Sequence, residues 1–85
     1  MVKMYLLYTK NKNKDCDKAR EYLDCNRIEY KEINITKNNR DKRYWRNQGI
    51  NTVPILRKEG KDWILPKWDE AIAEYLIVKE SLNEM

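Results

Sequence analysis

Apolar and polar positions alternate along the chain in blocks that change period several times. Residues 3–9 are rich in Tyr, Leu and Met with no breaker, which predicts a strand buried on both faces. Residues 10–14 are polar throughout and read as a loop, with Asn13 or Asp15 able to cap a helix through a side-chain oxygen. Within 16–26, Ala19, Tyr22 and Leu23 recur at helical spacing and predict about three amphipathic turns. Residues 28–35 return to period two, directing Ile28, Tyr30 and either Ile33 or Ile35 to a core as a second strand. Thr36 is a candidate cap for a highly charged helix over 37–48, which Gly49 is placed to end in the left-handed conformation. Residues 53–57 and 62–65 flank Lys58-Glu59-Gly60-Lys61 and predict a hairpin. Over 67–82, Ala71, Ile72, Tyr75, Leu76 and Val78 mark a last helix.

The resulting order is βαβαββα. A right-handed crossover through the first helix sets the first two strands parallel. The hairpin then completes a four-stranded mixed sheet with helices on both faces, an α/β fold. At 85 residues the chain makes one domain, 1–85, with no repeat or linker. Its core is small, since chains of this size bury only about 60% of their unfolded surface.

Composition narrows the chemistry. No run approaches the roughly 18 apolar residues of a membrane span, and the first residues lack a small-residue cleavage site, so a cytoplasmic, non-membrane protein is expected. Two cysteines and no histidine are too few for a disulfide framework or a zinc site, and they remove the usual general base of hydrolases. The net charge of +4 is spread between acidic residues and favours solubility and a monomer. The basic segment 37–46, interrupted by Tyr44 and Trp45, has the look of a strand-binding nucleic-acid surface. The favoured reading is a solvated helix face whose aromatics dock on the core.

Three local features coincide with this element order. Tyr8-Thr9-Lys10 ends the first strand and Cys16-Asp17-Lys18-Ala19 opens the helix; Asn51-Thr52-Val53-Pro54-Ile55 precedes the hairpin; Trp68-Asp69 precedes the last helix. Together they resemble glutaredoxins and the related NrdH-type redoxins over nearly the whole chain. The resemblance implies a thioredoxin-like fold, with Pro54 cis and facing the active site. It also implies that an extended ligand pairs with the Val53 backbone beside Thr52, a strand-addition mode. Lys10 and Val53 match positions that hold the carboxylate and main chain of glutathione, Asp69 one that holds its amino end, and Trp68 one that meets a protein partner. Leu65-Pro66 replaces the Gly-Gly of many glutaredoxins, and 63–69 looks closer to the NrdH type, which draws electrons from thioredoxin reductase. The implied partners are glutathione, as a co-substrate, or a protein thiol or disulfide, thioredoxin reductase included. No bound cofactor or metal is implied.

The family signature is Cys-x-x-Cys, and here one cysteine is missing. Twelve residues separate Cys16 from Ile28, the family's usual distance from its second cysteine. Asn13 then stands at the nucleophile position, in Asn13-Lys14-Asp15-Cys16. In the rival register Cys16 is the nucleophile and Ala19 stands at the resolving position. Either way a single thiol remains, because nine residues of helix hold Cys25 about 13 Å further along the axis. Cys25 reads as a helix-end residue without a chemical role. Two functions follow: a thiol-disulfide redox protein working through Cys16, or a redox-inactive binding module that keeps the groove around Asn13, Pro54 and Trp68. If Cys16 lies inside the first turn, it joins the stripe of Ala19, Tyr22 and Leu23, and burial raises its pKa.

Overall fold

The computed structural model describes residues 4–83. In chain order these form β1 (Tyr5–Thr9), α1 (Lys14–Cys25), β2 (Tyr30–Asn34), α2 (Asn39–Asn47), β3 (Ile55–Lys58), β4 (Ile64–Leu65) and α3 (Glu70–Asn83). Each element expected from the patterning is present; the first residue of the expected opening strand, Lys3, lies outside the described residues. The sheet runs β2-β1-β3-β4, with β1 parallel to β2 and antiparallel to β3, and β3 antiparallel to β4. This is the thioredoxin-like α/β fold.

Alternation along the two central strands sorts the core into two layers. Tyr5 and Leu7 of β1 and Leu56 of β3 pack with Ala19 and Leu23 of α1 and Ala73 and Ile77 of α3. Their sequence neighbours, Tyr8 and Ile55, face the other way, onto Trp45 of α2 with Ile35 and Val53. Leu7, Ile55 and Leu56 are fully buried, as the unbroken apolar runs of central strands require, and Leu23 of α1 is fully buried against them. No described helix is long and apolar enough to cross a membrane.

Helix ends fall where local chemistry satisfies the backbone, and this moves some expected boundaries. Asn38, not Thr36, caps α2, its Oδ1 accepting from the Asp41 amide at 3.3 Å. The Thr36 hydroxyl instead accepts from the Asn11 amide at 3.1 Å, tying the loop before α1 to the end of β2. Gly49, at φ +79, ends α2 as expected. Its amide bonds the Arg46 carbonyl and the Ile50 amide bonds the Trp45 carbonyl, the paired hydrogen bonds of a Schellman end, with Ile50 packed on the cluster that holds Trp45. A Cβ at Gly49 would meet nothing within 4 Å, so the dihedral and not space demands glycine. α1 ends on the same motif: Arg27, at φ +56, bonds Asp24, Ile28 bonds Leu23, and Ile28 packs beside Leu23. α3 starts at Glu70 rather than 67, because Asp69 caps it.

Candidate functional site

The loop from Lys10 to Asn13 carries the chain from the end of β1 into α1. Asn13, in extended backbone, accepts the Cys16 amide on its Oδ1 at 3.0 Å, so Cys16 sits in the first turn. Its side chain is fully buried, in the same cluster as Tyr8, Trp45, Val53 and Ile55. The expected stripe with Ala19 and Leu23 is thereby split: those two face the layer shared with α3, whereas Cys16, at the end of the sheet, joins the α2 layer. Burial pushes the Cys16 thiol up, against a smaller downward pull from a backbone hydrogen bond at Lys10 and the charge of Arg20. The Val53–Pro54 bond is cis and Pro54 is buried. Cys25 is exposed at the end of α1.

Beside the thiol lies a polar network that links three elements. Arg20 of α1 grips Glu32 of β2 through Nε to Oε1 at 2.7 Å and a second nitrogen to Oε2 at 3.0 Å, and it also bonds Asp17 at 2.6 Å. The buried Thr9 hydroxyl donates to Glu32 Oε2 at 2.9 Å. The Arg20 hydrogen bonds hold the Glu32 carboxyl below its usual value against the opposing effect of burial, with Thr9 assisting. A carboxyl with a depressed folded-state pKa stabilises fully above its unfolded pKa, and that contribution drains away as pH falls through the folded value. The urea midpoint is therefore expected to drop as pH falls below about 4.5, the unperturbed value, and Glu32→Gln should remove this part of the decline. Equal pH slopes for both proteins would contradict the assignment.

A cavity of about 80 Å³ opens between α2 and the segment before the cis proline, lined by Lys10, Ile35, Lys42, Trp45, Arg46, Ile50, Asn51 and Thr52. Lys42 and Arg46 stand four residues apart on α2 and so share a face, which together with Lys10 brings three cations to one small recess. Trp45 is 1% exposed, and its Nε1 has no hydrogen-bond partner among the described residues. A recess of this kind accepts a carboxylate or similar anion. The Thr52 hydroxyl is turned to the Pro66 carbonyl at 2.6 Å, tying this wall to the loop before α3. The patterning alone placed Lys42 and Arg46 among solvated charges; their spacing around Trp45 was the available signal.

The structure brings Lys10, Thr52 and, through the buried cluster, Cys16 and Val53 to one end of the sheet. Trp68 is not among them. Its ring stands edge-on to Tyr22 of α1 at 5.7 Å and it lines a separate cavity with Lys18, Tyr22 and Cys25. Asp69 is exposed and its Oδ1 accepts from the Ile72 amide at 3.2 Å, so the carboxylate serves α3.

No curated protein matches the chain. A family model described as Glutaredoxin matches residues 6–63, which span the strand, loop and helix around Cys16, the α2 recess and the cis proline, and stop before Trp68. With that match over more than half of its length, the chain belongs to the glutaredoxin family of thiol-redox proteins.

Proposed function

We propose that this chain recognises thiol-bearing or disulfide-bearing peptides of the glutathione type, or an extended protein segment of like chemistry, without disulfide turnover of its own. The carrying observation is the burial of Cys16 inside the first turn of α1, behind an asparagine at the helix cap. In this reading Asn13 occupies the position of the family nucleophile and Cys16 that of the resolving thiol, so the 63–69 stretch of NrdH character and the site itself are remnants of a dithiol protein. A thiol is reactive only as an accessible thiolate, and burial here opposes both accessibility and ionisation. The reading is supported by Lys10, Lys42 and Arg46, which gather at one recess suited to a carboxylate, and in it the Val53 backbone beside the cis proline pairs with an extended peptide.

Calorimetric titration with S-methylglutathione, which has no free thiol, tests this reading. The native chain is expected to bind it, and Lys42→Glu to weaken binding about tenfold by placing a like charge against the ligand carboxylate. Absence of binding by the native chain, or equal binding by both, would overturn it.

A second reading rests on the backbone hydrogen bond at Lys10 and the Arg20 charge, which offset part of the upward push that burial gives the Cys16 thiol. Here the Cys16 thiolate attacks glutathione disulfide, forming a mixed disulfide with one glutathione while the other leaves as a thiol. Mass spectrometry after incubation with glutathione disulfide distinguishes the two, since the binding reading expects adducts on exposed Cys25 and none on Cys16.

A further inference from the structure

Outside that site, the outer face of α3 carries a second apolar surface. This helix carries apolar side chains on both sides. Ala73 and Ile77 point into the core, yet Tyr75, Val78 and Leu82 are 65%, 50% and 63% exposed. With Ala71 they line an open apolar groove whose remaining walls are Glu74 and Lys79. A helix apolar all round normally has something on its second face.

The spacing of this face says what fits it. Ala71, Tyr75, Val78 and Leu82 step by 4, 3 and 4 residues, the seam of a seven-residue repeat. Glu74 and Lys79 flank the seam on opposite sides, five residues apart. In two parallel helices packed seam to seam, a residue before the central position on one helix lies beside the residue five further on in its neighbour, and Glu/Lys at those places form interhelical ion pairs. An antiparallel pairing with Tyr75 level with Val78 would set Glu74 beside Ser81 and Lys79 beside Ile72, with no ion pair. The charges therefore select the parallel arrangement, and a face that complements itself points to a two-fold dimer.

We propose that α3 packs in parallel against α3 of a second copy of this chain, about a two-fold axis running along the helices. Tyr75, Val78 and Leu82 each meet their own counterparts. Glu74 of each copy pairs with Lys79 of the other. The seam is under two repeats long, so the contact belongs to the weak class that buries less than about 1,200 Å². It lies on a different surface from the α2 recess and is independent of the binding reading given above.

Sedimentation equilibrium of the full chain in reducing buffer of low ionic strength, at concentrations from about 10 μM to 1 mM, tests the proposal. A monomer–dimer equilibrium is expected. Lys79→Glu should weaken it about tenfold by setting like charges together at both pairs. The exchange E74K/K79E should restore it, because opposite charges again meet; this also answers the concern that the single variant is merely less well folded. A monomer throughout the range overturns the proposal, as does an association that Lys79→Glu leaves unchanged.

Discussion

Asn13→Cys is expected to endow the chain with disulfide-reducing turnover at least on the order of 100-fold above the native protein, the gain that follows from adding a low-pKa thiol at a helix N-terminus. The argument is geometric. Asn13 is the cap of α1 and Cys16 lies three residues on, its amide bonded to the Asn13 side chain. Positions three apart on a helix are neighbours, so the introduced sulfur is within reach of the buried thiol. The introduced thiolate attacks the substrate disulfide and forms a mixed disulfide while the first substrate sulfur leaves as a thiol. Cys16 then attacks the mixed disulfide, releasing the second substrate sulfur and closing an intramolecular bond that an external dithiol reduces. The variant also loses its cap, at a cost of about 1 kcal/mol in stability. Turnover monitored with a small disulfide substrate and dithiothreitol checks the outcome. A variant that folds but stays inactive would mean that Cys16 is not placed to resolve.

Trp45→Ala should produce the largest loss of stability among single substitutions of the site. The indole is 1% exposed, lies edge-on to Tyr8 at 5.0 Å and to Tyr44 at 5.0 Å, and is the one buried residue of α2 among the described residues. Truncations of this kind cost about 3–5 kcal/mol. That is a large share of the 5–15 kcal/mol that holds a typical domain. Trp45→Phe should cost only about 1 kcal/mol, because the lost N–H has no hydrogen-bond partner among the described residues and the ring volume is largely kept. Urea unfolding of both variants checks the pair. A Phe variant as unstable as the Ala variant would mean that the indole N–H is bonded in solution.

Much of this was legible in the residues. The breaker-free run of β1 and the Val53-Pro54 pair each carry a strong local signal, and the structure places them at the centre of the sheet and at its cis bend. The end of α2 was equally legible, because a glycine after a helical pattern has one dominant use. Other features depend on how elements meet, and no local pattern encodes that. Helical spacing put Cys16 on one stripe with Ala19 and Leu23, but the first turn overhangs the end of the sheet and the sulfur enters the α2 layer. The charges of α2 stay largely at the surface as expected, Arg46 exposed and Lys42 half-buried, but that both line a recess with Lys10 depends on how α2 packs beside the segment before the cis proline. Trp68 stands where the resemblance places a partner-binding residue, and its ring contact is with Tyr22 of α1, in a cavity separate from the α2 recess. The strand and helix boundaries moved by one to three residues, since caps such as Asn38 and Asp69 outcompete propensity at the ends.

The rate of thiol alkylation against pH, read separately at Cys16 and Cys25 by peptide mapping, tests the central claim most directly. The account predicts that exposed Cys25 reacts first and that Cys16 stays inert until the pH exceeds the range in which an ordinary thiol ionises. Rapid alkylation of Cys16 at neutral pH, with Cys25 lagging behind, would contradict it.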